Sequence, residues 1–184
     1  MSHSVRRGPE PEDPRFERVT LVSDDGVEAA FVPGAGLVGV SLTLDGVELL
    51  ARRHGLEGYL GHASTFGIPL LAPWANRLAL PEQSVAGVTW EVRPGDPSVH
   101  ADEYGQPIHG LMAGAPEWQA TDVGSSDGSA WLTARLRFDS RLDRFVCFPF
   151  EHELEVRVAL EGRTLRVGTS LTATGSGAVP VAFG

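Results

Sequence analysis

The pattern that most limits what this chain can become is a two-residue alternation of apolar side chains between tight turns. Leu132, Ala134, Leu136 and Phe138 share one parity, with Thr133, Arg135 and Arg137 on the other. Leu154, Val156, Val158 and Leu160 alternate in the same way with Glu153, Glu155 and Arg157. After Glu161-Gly162 a third run sets Leu165, Val167, Thr169 and Leu171 against Arg166 and Ser170. Successive side chains of a strand point to opposite faces, so these runs predict half-buried strands, the last two joined as a hairpin. No segment holds a helical apolar period over several turns, and helix is expected to be scarce.

Turn signals at Asp25-Gly26, Asp45-Gly46 and Asp127-Gly128 separate further short runs at residues 16–22, 27–32, 37–44 and 47–51, with another at 88–92. This regular spacing predicts an all-β fold, an antiparallel β-sandwich. The chain has 184 residues, of which 22 are glycine and 13 proline, and much of this punctuation falls in two long irregular stretches, 53–82 and 93–116. Long loops on a rigid sheet are where sites are usually built. Residues 1–15, polar and rich in proline and arginine, are expected to be a flexible leader, and 16–184 the sandwich domain. The apolar run 178–184 stops without a polar tail. The domain is therefore expected to be truncated at its C-terminal end, with uncovered sheet surface available for self-association.

Charge and inventory exclude several functions. Fifteen basic residues against 24 acidic ones give a net charge of −9, which would repel a phosphate backbone, so nucleic acid is not an expected partner. Every basic residue is arginine. Without lysine there is no Schiff-base chemistry, no pyridoxal phosphate anchor and no P-loop lysine. Cys147 is the only cysteine and lies in the apolar run 144–148, where it reads as a small core residue. The N-terminus lacks the apolar segment of a signal peptide, and no stretch has the ~18 apolar residues of a membrane span, so a soluble, cytoplasmic protein without a membrane partner is expected. His54, His62 and His100 sit in loops at spacings that match no compact metal pattern, and no metal site is expected. His152 shares parity with Leu154 and Val156 and reads as a hydrogen-bonded histidine at a strand's inner edge.

Two places could carry chemistry. Asn76, the only asparagine, lies beside Arg77 in Pro73-Trp74-Ala75-Asn76-Arg77-Leu78, a polar pair flanked by apolar residues. A guanidinium fork beside an amide suits a polyhydroxyl ligand, and Trp74 could add an aromatic face for sugar C–H groups. Alternatively, Arg77 pairs with a carboxylate and Asn76 serves a turn. His109 occurs in Gln106-Pro107-Ile108-His109-Gly110, where proline fixes the approach and glycine lets another group come close to the backbone. Its imidazole could exchange a proton with a sugar oxygen near neutral pH, or simply be hydrogen-bonded within its loop. Asp102 and Glu103 could orient it, line the loop mouth or form a solvated acidic patch.

Taken in order, Pro73-Trp74-Ala75-Asn76-Arg77, Pro107-Ile108-His109-Gly110, Phe148-Pro149-Phe150 and Val179-Pro180-Val181-Ala182-Phe183-Gly184 resemble the aldose 1-epimerase (galactose mutarotase-like) family. The resemblance implies a large β-sandwich, the super-sandwich, that binds a monosaccharide without metal or organic cofactor and interconverts its α and β anomers. In that mechanism a carboxylate takes the C1 hydroxyl proton and an imidazole protonates the ring oxygen. The ring then opens and recloses as the other anomer. Carried over by motif, Arg77 matches the arginine that holds sugar hydroxyls, and His109 the first of two active-site histidines. The family's second histidine follows its Phe-Gly and its glutamate base lies further on, so this polypeptide alone is expected to be weakly active or inactive. A non-catalytic carbohydrate-binding module is the alternative. So is a phosphosugar epimerase-like protein, for which Arg52 and Arg53 could supply positive charge.

Overall fold

The computed structural model describes residues 2–61, 65–85, 87–93 and 95–184; His62, weighed above as a metal ligand, lies outside them. A five-stranded sheet is built in sequence order from β1 (His3–Pro9), β2 (Glu17–Ser23), β3 (Val27–Val32), β4 (Val38–Leu44) and β5 (Val47–Glu48), each neighbouring pair antiparallel. A short helix, α1 (Gly55–Leu60), follows, then a hairpin of β6 (Glu82–Val85) and β7 (Val88–Glu91). The remaining strands, β8 (Gln119–Ser125), β9 (Ala130–Phe138), β10 (His152–Glu161) and β11 (Thr164–Ala173), form a four-stranded sheet in the order β11-β10-β9-β8. The fold is the expected all-β sandwich.

The chain forms two compact units, one of Met1–Pro69, Gly114–Leu136 and Glu155–Ser170, the other of Leu70–Ala113, Arg137–Leu154 and Leu171–Gly184. In the first, the alternation read from the sequence sets the core. Leu132, Ala134 and Leu136 of β9 and Val156, Val158 and Leu160 of β10 are buried, as are Val19 and Leu21 of β2. Each such valine or leucine contributes roughly 1.5–3 kcal/mol on burial. The β4–β5 hairpin turns through Asp45 and Gly46, both at positive φ, with Leu44 paired to Val47. Those are the dihedrals of the primed turn that Asp-Gly favours. In the second unit, Trp90 packs edge-on against Phe148 and Phe150, and Phe138 stacks on His152. Cys147 is buried there, and loss of water pushes its thiol up to about 11.

Three expectations are corrected. Most of the leader is not loose: His3–Pro9 is an edge strand in full register with β2, and Arg7 makes a two-pronged bond to Glu17. Charges hid it, and charge is what an exposed sheet edge carries to discourage pairing with other chains. The run expected at 47–51 is a strand only at Val47 and Glu48, followed by one more cross-bond from the Leu49 N–H to the Leu42 carbonyl, and the Glu48 carboxylate accepts the backbone N–H groups of Leu42, Leu49 and Leu50. On β11 the apolar parity is present but half covered, with Val167 48% exposed. Periodicity sets which side chains share a face, not whether anything packs upon it.

Candidate functional site

The two loops singled out from the sequence meet within the second unit. The N–H of Leu111 donates to the Ala72 carbonyl at 2.7 Å, and that of Leu78 to the Pro107 carbonyl at 2.9 Å. The close approach depends on Gly110, at φ +74°, where a Cβ would lie 2.0 Å from the Ala72 carbonyl oxygen. No other residue type fits such a contact. His109, beside it, also adopts a left-handed φ of +68°, a conformation that costs on the order of 1 kcal/mol or more for a residue with a side chain. A third segment joins them: Leu71 exchanges both backbone hydrogen bonds with Gly184, at 2.8 and 3.0 Å. Three sequence motifs far apart in the chain thus converge on residues 71–78.

His109 is half-buried, and its Nδ1 lies 3.1 Å from the carbonyl oxygen of Ala75. A carbonyl only accepts, so Nδ1 must carry the proton. In the neutral ring Nε2 is then the acceptor, and it has no hydrogen-bond partner among the described residues. His100 stacks on this ring, centroids 6.0 Å apart and planes 27° from parallel. Its own carbonyl accepts the Ile108 N–H at 2.8 Å. The sequence placed His100 only as a loop histidine. The signal that could have found it is its position nine residues ahead of His109, in a segment dense in turn residues.

Arg77 is 44% exposed and donates through Nε to Oδ2 of Asp102 at 2.5 Å, while the Asp102 side chain is 2% exposed. The other Asp102 oxygen accepts the N–H groups of Tyr104 and Gln106 at 2.8 and 2.9 Å. The guanidinium bond foremost, and then these backbone donors, hold its carboxyl below the usual carboxylate range. Asp102 therefore grips Arg77 and does not orient His109. Asn76 is exposed, and its Oδ1 accepts the Arg77 N–H at 2.9 Å. The local pairings weighed for Asn76 and Arg77 both occur, yet Nη1 and Nη2 of Arg77 have no partner among the described residues.

Trp74, expected as an aromatic platform, is only 7% exposed, and its Nε1 has no hydrogen-bond partner among the described residues. A ring buried to that extent has little of its face open to a ligand. His152 is buried, with Nδ1 donating to the Phe150 carbonyl at 2.7 Å, as a histidine at a strand's inner edge should. Among the described residues no group of three or more histidine, cysteine or acidic side chains could hold a metal. Among the described residues no helix is long and apolar enough to cross a membrane. A cavity of about 360 Å³ in this unit is lined by Phe145, Pro149, Phe150 and Gly175–Val179, and does not include Arg77 or His109.

The chain matches the family model described as aldose 1-epimerase over residues 17–184. No curated protein sequence matches it. Among solved structures, it is similar to a galactose mutarotase-like protein from Clostridium acetobutylicum, with a TM-score of 0.77 and 18% identity over 94% of this chain and 49% of the other. It is also similar to a galactose 1-epimerase from Lactobacillus acidophilus, with a TM-score of 0.64 and 14% identity over 93% of this chain and 48% of that one. A galactose mutarotase-like protein from Lactobacillus casei gives 0.61 and 18%, over 90% and 47%. At these identities the likeness is one of fold. The chain spans about half the length of the structures it matches.

Proposed function

This chain belongs to the aldose 1-epimerase family, and from that premise we propose that it holds a monosaccharide against the surface formed by residues 72–78 and 107–111. The Nη groups of Arg77 donate to neighbouring sugar hydroxyls, the Asn76 amide adds a donor, and Nε2 of His109 accepts a hydroxyl hydrogen near the reacting carbon. Trp74 backs the loop. The observation that carries this reading is the His109–Ala75 hydrogen bond, because it fixes the tautomer of one loop's imidazole on the backbone of the loop that bears Asn76 and Arg77.

Anomer exchange needs a base for the C1 hydroxyl and an acid for the ring oxygen, acting together. One imidazole fills one of those duties. The 184-residue polypeptide is therefore expected to bind sugar while changing the mutarotation rate little. Calorimetric titration with glucose and galactose tests the binding, with Arg77→Ala weakening it by about 1–3 kcal/mol, the usual loss for a charged hydrogen bond. Absence of any saturable heat with either sugar overturns the reading. Polarimetry on freshly dissolved α-galactose tests the second part, and strong catalysis by the polypeptide would overturn it.

A further inference from the structure

We propose that Asp102 is a positioning and specificity-determining residue: it aims the Arg77 guanidinium through Nε and cancels its charge, so that the outward amino groups serve neutral hydroxyls and do not recruit an anion. This rests on the sugar-binding reading of Arg77 and adds to it the chemical class of ligand the arginine is set to prefer.

The division of labour between the two Asp102 oxygens is the basis. Oδ1 accepts two backbone N–H groups of its own loop, Tyr104 and Gln106, and Oδ2 alone faces Arg77. The carboxylate is thus locked to its loop before it meets the arginine. Gly105 N–H closes the same turn on the Asp102 carbonyl, and Asp102 N–H bonds the Gln106 carbonyl, both at 3.0 Å. A bond at Nε leaves the Nη1 and Nη2 edge as the binding edge, with one fewer torsion to be ordered when a ligand arrives. The pair sums to zero charge, and the Glu103 carboxylate lies near enough to act on the guanidinium. A phosphate oxygen there would meet Asp102 and Glu103 behind the Arg77 guanidinium. Arg52, considered above for a phosphate, is itself bonded to Glu12.

Asp102→Asn separates positioning from folding. Its amide oxygen can keep both backbone bonds, while an NH2 replaces Oδ2 and cannot accept from Nε. We expect Asp102→Asn to weaken galactose or glucose binding about tenfold at nearly unchanged melting temperature. In the Arg77→Ala background the same substitution should have no further effect. Inorganic phosphate, bound weakly or not at all by the unaltered protein, should bind measurably to Asp102→Asn and not to the double variant. By NMR, the Arg77 Nε–H should exchange slowly with solvent, and fast once Asp102 is replaced.

An undiminished loss of sugar affinity from Asp102→Asn on top of Arg77→Ala would mean a merely structural role and overturn the proposal. So would wild-type affinity and slow Nε–H exchange in the single variant. If the unaltered protein binds no aldose, the functional reading fails, and the proposal then stands or falls on the exchange rate and the phosphate titration.

Discussion

Nδ1 of His109 donates to the carbonyl of Ala75 across 3.1 Å and thirty-four positions of sequence. Two loops of irregular backbone are thereby joined at the point where each carries its polar residues. Replacing His109 with alanine leaves that carbonyl without its partner and removes the Nε2 acceptor. We expect a loss of sugar affinity of about 1–2 kcal/mol, read by calorimetry, with a smaller fall in melting temperature because the site is only half-buried. Unchanged affinity in a folded His109→Ala variant would remove the imidazole from the site.

Gly110 should be the least replaceable position in this region. An alanine there combines a left-handed φ of +74° with a Cβ placed 2.0 Å from the Ala72 carbonyl oxygen. Gly46 has a similar φ of +80° but open space around it. Gly46→Ala should cost about 1 kcal/mol, and Gly110→Ala distinctly more, about 3 kcal/mol, since the loops must part. Denaturant melts of the two variants make the comparison. Equal losses would mean that the loop contact is easily accommodated.

His152 predicts a specific pH dependence. Burial lowers its pKa below the ordinary 6.5, so it stays neutral in the fold while the unfolded chain takes up a proton. The unfolded state binds more protons between those two values, and stability therefore falls as pH drops below about 6.5 until the folded value is reached. Above that window the contribution is complete. Melting curves of wild type and His152→Gln between pH 7.5 and 5 should converge on acidification, as wild type alone loses this component; parallel curves would contradict it.

The Arg77–Asp102 pair behaves differently with pH. Its carboxyl lies below the ordinary 3.8, so the contact is complete above that value and is lost only as pH falls through the lowered one. Arg77-dependent sugar binding should be flat from pH 7 to 5. A decline over that range, absent in Arg77→Ala, would show that another group controls the arginine.

The edge strand β11 predicts association between copies. It runs ten residues with Arg166 as its one charge, and Val167 is 48% exposed on its apolar side. β1, at the edge of the other sheet, carries Arg6 and Arg7 paired with Glu28 and Glu17. An edge without such charges is a template for another strand. Light scattering should give a mass that rises with concentration above the 19.6 kDa of one chain, and Val167→Lys should return it to that value. A constant monomer mass in wild type would sink this expectation.

Strand identity was legible wherever one face is buried. Alternation at 132–138 and 154–160 marked β9 and β10 with the inward residues correctly chosen, and Asp45-Gly46 marked its turn. β1 was not legible, because an edge strand of serine, arginine and glycine buries too little to leave a pattern. β6 and β8 were missed for the same reason, being exposed along most of their length. At the candidate site, residue identity singled out Arg77, Asn76 and His109. It misjudged Trp74, since a tryptophan beside a polar pair looks the same whether its ring faces outward or inward.

What the chain itself determined is therefore its class and its short motifs: period-two runs can only be strands, glycine at 110 permits a contact nothing larger allows, and the absence of lysine closes whole chemistries. What only the tertiary structure decided is which groups meet. That His109 is tied to Ala75 and that Asp102 serves Arg77 instead of the imidazole depend on where two loops cross. Hydrogen bonds act over about 3 Å, and local sequence carries no record of distances between segments thirty residues apart.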